Sequence, residues 1–427
     1  MSVEVRRAAE RFPGGKLTVL SIPGGAYPVI VRGDGAKVFS GDGRSYVDFV
    51  LGSGPLIAGH AHPAVVAAVS EQIGRGSTFY AVNDKILQLA DKLVDAIPCA
   101  EKIQFCTSGS EATFYAMRIA RAATGRDLIL RFEGGFHGGN DYAMCGWLRE
   151  PGAEECSSKP SCAGIPTRVA ETVLVAEFND LNQALGLFAR YKGRIAAVIV
   201  EPVERVVPPR PGFLEGLRKV CSETGALLIF DEIVTGFRIA WGGAQELYGV
   251  VPDLATYGKI IGGGYPLAAV AGASELMEHA AWSHSRSDSR AYMSGTLNGN
   301  PVAAVAGLTT LALLEQPGSY EKLWSLGETL RRGIEHGASR AGVLVQVMGV
   351  GPTFQVVCRS SVAGNYAELC DEDAALGTEV GRRVFEAGYL VREEKMYLSL
   401  AHEQGHLDGA IDAYARAFEA VARTQAR

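Results

Sequence analysis

Lys259 lies in the run Thr256-Tyr-Gly-Lys-Ile-Ile-Gly-Gly-Gly264, 28 positions after Asp231, which closes the apolar run Ala226-Leu-Leu-Ile-Phe230. A lysine among glycines and isoleucines, paired in sequence with a carboxylate at a strand end, suits covalent amine chemistry. Burial disfavours the ammonium charge, so such a side chain can supply the neutral amine that a Schiff base requires. Alone, Lys259 is equally compatible with a lysine snorkelling out of a Gly-rich loop.

Three further segments carry matching chemistry. Thr107-Ser-Gly-Ser-Glu-Ala112 falls between a strand pattern and a helical one. Ser108 and Glu111 have capping-box spacing, and the same helix start, with the Ser108 and Ser110 hydroxyls and Gly109, could hold a phosphate. Phe136-His137-Gly138-Gly139 follows the strand pattern Leu128–Phe132. Phe136 could stack on a flat ring there, or be ordinary core with His137 in a turn. Asp231 and Glu201 each follow a buried strand, at the edge where parallel sheets bind ligands, although Asp231 could equally cap the next turn. Glu232 should point to the opposite side. A phosphate, a ring, a ring atom that wants an anion and a carbonyl for Lys259 together describe pyridoxal 5′-phosphate, an electron sink for carbanion chemistry.

The elements that must position these residues are legible from periodicity. Residues 29–49 alternate apolar stretches with Gly-Asp-Gly turns, as a small antiparallel meander does. From residue 63 onward helices are expected at Pro63–Gln72, Lys85–Ala96, Glu111–Thr124 and Leu214–Thr224. Strands are expected at Ile103–Cys106, Leu128–Phe132, Ala196–Val200 and Ala226–Phe230. Such alternation predicts an α/β fold with a mainly parallel sheet covered by helices. Helices at Pro301–Leu314 and Tyr320–Ala338 lead to a second small region with strands at Val343–Val347, Thr353–Val357, Tyr389–Arg392 and Tyr397–Leu400, then a terminal helix. Glu150–Thr167 reads as a surface loop.

Composition narrows the function classes. The 427 residues carry a net charge of −6 and no basic run, which argues against nucleic acid as a partner. No stretch reaches the ~18 apolar residues of a membrane span and the N-terminus has no apolar leader, so a cytoplasmic location is expected. Eight scattered cysteines without a CxxC pair predict reduced thiols, with neither a disulfide framework nor a metal site.

The strings GDGRSYVDF, GHAHP, CTSGSEAT, FEGGFHG, EPV, FDEIVTGFR, GGAQELYGVVPDLATYGKIIGGGYP and SGTLNGNP, in this order over nearly the whole chain, resemble the class III aminotransferases of the fold-type I pyridoxal-phosphate enzymes. The branch most resembled contains glutamate-1-semialdehyde aminomutase. The resemblance implies a large cofactor-binding domain at 63–325 and a small α+β domain built from 1–62 and 326–427. It also implies an aminotransferase that works by ping-pong transfer through a Lys259 Schiff base. Asp231 would pair with the pyridinium nitrogen, and Ile233 and Phe136 would pack on the ring with His137 adjoining. Ser108, Gly109 and Ser110 would hold the phosphate, and Glu201 would help position the cofactor's hydroxyl side. Thr296 would reach the phosphate of the neighbouring subunit's cofactor in a homodimer.

Other outcomes on this scaffold are intramolecular amino transfer, racemisation or decarboxylation, and a non-catalytic binding protein. Against the aminomutase stand Phe136 where that branch carries tyrosine, Gly139 where it carries histidine, and the segment Glu204-Arg-Val-Val-Pro-Pro209. Arg32, then Arg392, are the candidates for holding a substrate carboxylate through a bidentate fork, with surface solvation the alternative for each.

Overall fold

The computed structural model describes residues 3–15, 28–150, 152–153, 155–281 and 290–425. Positions 16–27 of the expected first domain segment and positions 151 and 154 of the expected loop lie outside them. The chain divides into two compact units. One comprises Met1–Pro63, Pro317–Val362 and Asp371–Arg427, and the other Ala64–Gln316 with Ala363–Cys370.

The larger unit is built on seven strands: β1 (Lys102–Cys106), β2 (Leu128–Phe132), β3 (Val173–Ala176), β4 (Ile195–Val200), β5 (Leu227–Asp231), β6 (Leu254–Tyr257) and β7 (Ala268–Gly272). They are ordered β1-β7-β6-β5-β4-β2-β3. β7 runs antiparallel to both its neighbours, and the remaining pairs are parallel. Every residue of β4 is buried, as expected of a strand covered on both faces. The sheet is therefore mainly parallel. β3, β6 and β7 are strands that the sequence pattern does not mark. β7 reads Ala-Ala-Val-Ala-Gly, an alanine-rich run whose strand state is imposed by pairing with β6 and β1 rather than by propensity.

Parallel pairing solves the spacing between Asp231 and Lys259. Asp231 of β5 is in register with Thr256 of β6, so the intervening crossover returns the chain to the same sheet edge three residues before the lysine. Lys259 opens a 3-10 turn, Lys259–Gly262, and the helix Pro301–Leu314 lies directly on that turn. Gly307 of the helix has no room for a methyl group, because a Cβ there would collide with the Ile261 carbonyl. Gly263 has φ +57°, and a Cβ on it would stand 2.5 Å from the Ala306 carbonyl oxygen.

In the other unit Ile30–Asp34, Lys37–Ser40 and Ser45–Asp48 form the expected antiparallel meander. Tyr389–Leu390 joins it parallel to Ser45–Asp48, so segments from both ends of the chain share one sheet. The strand expected at Val343–Val347 is observed at Gln346–Val350, because the preceding helix, Ser319–Ala341, is closed by Gly342 and Val343 is drawn into the core. The strand expected at Tyr397–Leu400 is only Met396–Tyr397, paired with Thr353 and Phe354. The core of this unit centres on Phe49, Leu330, Ile334, Phe354, Leu398 and Phe418. All eight cysteines are free thiols. Among the described residues no helix is long and apolar enough to cross a membrane.

The close approach at Gly307 predicts that Gly307→Ala lowers the thermal midpoint, with an overpacking cost of about 1–3 kcal/mol. Gly186→Ala, inside the helix Leu181–Arg190 where a Cβ meets nothing within 4 Å, should be neutral or slightly stabilising. Calorimetric scans of both variants beside the wild type measure this, and an unchanged midpoint for Gly307→Ala would refute the clamp.

Candidate active site

Asp231 ends β5 as a carboxylate that is only 3% exposed, so its oxygens must find donors inside the protein. His137 Nδ1 lies 2.7 Å from Asp231 Oδ2. The Thr256 hydroxyl donates to Oδ1 at 3.1 Å, and the Ile233 amide does so at 3.2 Å. His137 is itself buried, and its carbonyl accepts from the Thr113 hydroxyl. Among the described residues His137 Nε2 has no hydrogen-bond partner. The sequence signal for His137 was only its place beside a Gly pair after a strand. Its pairing with Asp231 joins positions 94 residues apart.

Ser108 caps the helix Gly109–Thr124 as the spacing predicts. Its hydroxyl accepts from the Glu111 amide, and Glu111 Oε2 accepts from the amides of Thr107 and Ser108. Burial pushes the Glu111 carboxyl up, but the hydrogen bonds from Thr107 and Ser108 outweigh it and hold it below the usual carboxylate range. The capping box is thus a formed structural device. It leaves the first-turn amides of Gly109 and Ser110 without intrahelical acceptors, at the positive end of the helix dipole. Ser110 Oγ accepts from the Gly139 amide at 3.0 Å. Gly138, at φ +95°, passes so close that a Cβ there would stand 2.5 Å from Ser110 Oγ. The two loops are therefore locked together.

Ile233 lies between this loop and the lysine. A Cβ on Gly109 would come within 3.1 Å of Ile233 Cδ1, and one on Gly258 within 3.0 Å. Lys259 itself is half-buried and has φ +48°, the left-handed region, which is costly for a residue with a side chain. The sequence's glycines thus mark where the backbone must approach Ile233, while the strain falls on the lysine.

Phe136 is 47% exposed, and its ring sits 5.3 Å from that of Trp147. Its amide donates to Glu201 Oε1 at 2.6 Å, so the buried Glu201 fixes the Phe136 loop. Glu232 faces away from this group, as expected. It accepts from the amides of Ala244 and Gln245 and the hydroxyl of Thr235. Thr296 is exposed, in the segment that precedes the Asn300-capped helix Pro301–Leu314. Arg32 and Arg392 belong to the other unit and have acidic partners within it. Arg32 pairs with Asp34 and lies 3.8 Å over the Phe39 ring. Arg392 pairs with Glu394 and donates to Ser53. Sequence reasoning gave no role to Thr256, Thr113 or Trp147, whose contacts join distant segments.

The arrangement fits pyridoxal 5′-phosphate. A helix start offers amides to a phosphate, a buried carboxylate can answer a protonated ring nitrogen, and an exposed aromatic face and an isoleucine are available to flank a ring. The unpartnered His137 Nε2 gives a buried donor or acceptor still to be satisfied.

Residues 24–403 match the family model described as Aminotransferase class-III. The chain is 41% identical over 420 residues to a glutamate-1-semialdehyde 2,1-aminomutase of Desulforudis audaxviator, covering 96% of this chain and 95% of that one. Its fold matches an omega-transaminase from Sphaerobacter thermophilus at a TM-score of 0.92 and 34% identity, over 98% of this chain and 97% of that one. A transaminase solved with PLP bound matches at a TM-score of 0.89 and 29% identity, over 99% of this chain and all of that one. The chain belongs to the class-III aminotransferase family, of fold type I, and its cofactor is pyridoxal 5′-phosphate.

Glu232 gives the site region a pH signature. Burial raises its carboxyl to about 6, against the bonds from Ala244, Thr235 and Gln245. The unfolded value is lower, 4.5, so the folded protein holds more protons between these values, and stability falls as pH rises across pH 4.5–6. The shift corresponds to roughly 2 kcal/mol. Subtracting the stability profile of Glu232→Gln from that of the wild type should isolate this decline. A flat difference would show that Glu232 does not titrate there.

Proposed function

We propose that this protein is an aminotransferase that moves an amino group between an amino compound and a carbonyl acceptor, with Lys259 as the residue that bonds the cofactor. The observation that carries the reading is the convergence of three things on one sheet edge in the larger unit. These are the half-buried Lys259 in strained backbone, the buried Asp231–His137 pair, and the helix start at Ser108–Ser110. When bound, the cofactor supplies an electron sink for the pair left by a broken bond at the substrate's amino carbon.

The chain's own residues do the rest. Asp231, which accepts from Thr256 and Ile233, would hold a proton on the ring nitrogen. His137 fixes the orientation of that carboxylate from the other oxygen. The amides of Gly109 and Ser110, with the Ser108 and Ser110 hydroxyls, would bind the phosphate. Phe136 and Ile233 would flank the ring and restrict water. Glu201 holds Phe136 in place through its amide and would help position the cofactor's hydroxyl side. Lys259 Nζ would bond the cofactor and, as a free amine, would be the base that takes and returns the proton at the substrate's amino carbon. Proton transfer by one positioned group contributes about two to four orders of magnitude. Thr296, exposed in a single chain, would complete the phosphate site of a second copy in a homodimer.

A second reading, intramolecular transfer of the glutamate-1-semialdehyde 2,1-aminomutase kind, is favoured by the name of the relative at 41% identity. Both readings use the same lysine and carboxylate, and they differ in whether the amino group leaves with the cofactor.

Lys259→Ala should lose the visible absorbance of the lysine–cofactor bond and fall to background activity. Near-normal turnover in that variant would overturn the assignment. Purified holoenzyme mixed with a panel of amines, with no acceptor added, should convert to the aminated cofactor and stop there. Isomerised product without net amine transfer would instead establish the second reading.

A further inference from the structure

Eight residues of the larger unit, Ala363–Cys370, come from a stretch of chain that otherwise builds the smaller one, since Val362 before them and Asp371 after them belong there. The segment has internal order of its own. Asn365 Oδ1 accepts from the Glu368 amide at 2.8 Å, ahead of the short helix Tyr366–Cys370, and Glu368 Oε2 accepts from the Gly364 amide at 2.8 Å. Two side chains dock it. Asn179, buried in the loop after β3, donates from Nδ2 to the Gly364 carbonyl at 2.8 Å and to the Pro208 carbonyl at 3.0 Å. Its Oδ1 accepts from the Arg210 amide at 2.7 Å. One side-chain amide thus joins the segment to the loop after β4, on a backbone held left-handed at φ +69°.

Tyr366 supplies the second attachment, against the loop that carries Phe136. Gly134, at φ +90°, lies so close that a Cβ on it would collide with the Tyr366 side chain. The Gly134 amide donates to the Trp147 carbonyl at 3.1 Å, and its carbonyl accepts from Arg205 Nε at 2.8 Å. The Arg205 guanidinium carbon lies 5.6 Å from the Tyr366 ring centre and 5.8 Å from that of Trp147, within the range of cation–π attraction. Both backbone polar groups of Gly134 and its open face are therefore occupied, two residues before Phe136. The Phe136 ring is half-exposed, so it is placed by these neighbours, by the Trp147 ring 5.3 Å away and by Glu201 at its amide.

We infer that Tyr366 is a positioning residue for the cofactor: acting through Gly134, it sets the Phe136 ring against the cofactor's ring, and Asn179 latches the segment that carries Tyr366. The inference rests on the reading that Phe136 flanks the cofactor. The physical gain is preorganisation. Phe136 stands in the glycine-rich run Gly134-Gly-Phe-His-Gly-Gly139, a backbone with much conformational freedom to lose. Left loose, that loop would be ordered at the expense of cofactor binding. Clamped at Gly134, it is ordered beforehand.

The test uses holoenzyme of the wild type, Tyr366→Phe, Tyr366→Ala and Asn179→Gly, with thermal midpoints confirming that each folds. Tyr366→Phe keeps the ring and should match the wild type. Asn179→Gly removes the latching amide while leaving the left-handed backbone accessible. Hydrogen exchange read by mass spectrometry should rise in Tyr366→Ala at 363–370 and also at 133–138, and should do so to a lesser degree in Asn179→Gly. The visible circular dichroism of the bound cofactor should weaken in Tyr366→Ala, and loss of the aromatic contact predicts cofactor release about 10-fold faster. Unchanged exchange at 133–138 in Tyr366→Ala would overturn the role, whatever happens at 363–370. Faster exchange at 133–138 with wild-type ellipticity and release would instead overturn the placing of Phe136 against the cofactor, and this inference with it. Should Tyr366→Ala fail to fold, Asn179→Gly decides alone, and wild-type exchange at 133–138 in it would overturn the role.

Discussion

A carboxylate buried at the end of a parallel strand is the constraint around which the larger unit is organised. Asp231 has little access to water, so each of its oxygens must be met by donors from other elements: His137 from the loop after β2, Thr256 from β6, and the Ile233 amide from its own chain. Those bonds fix three sheet-edge segments relative to one another. They also hold the carboxylate where a cationic partner would gain most from it. The register of β5 against β6 then places Lys259 at the same edge without any direct contact being required.

The second requirement is close backbone approach. Gly109, Gly138, Gly258, Gly263 and Gly307 each occupy a place where a Cβ would meet a neighbour tightly. Their partners are Ser110, Ile233, the Ile261 carbonyl of the lysine turn and the Ala306 carbonyl of the helix behind it. The high glycine content of the chain, 52 of 427 residues, is therefore concentrated in part on the precision of one site. Close packing of this kind leaves little freedom for side chains to adjust, which is what a preorganised site needs.

On the substrate side both arginine candidates lie in the smaller unit. Arg32 and Arg392 stand out in sequence because they are arginines near strands, yet both are engaged by acids two residues away. Arg205 looks unremarkable in sequence, inside a charged segment that departs from the aminomutase pattern. Its environment comes from Trp147 and Tyr366, which lie far from it along the chain.

The sequence by itself determined the fold class, the Ser108–Glu111 cap, the strands around Leu128–Phe132, Ala196–Val200 and Ala226–Phe230, and the lysine with its glycine setting. These are local patterns: period-2 and period-3.6 hydrophobicity, turn residues, and motif order. It could not mark β7, whose alanines favour no strand, nor place the strand that begins at Gln346, nor pair His137 with Asp231. Such features arise from contacts between distant segments, and no local preference records them. Only the tertiary structure decided what surrounds each guanidinium, such as the Trp147 and Tyr366 rings beside Arg205, because those contacts join segments distant in sequence.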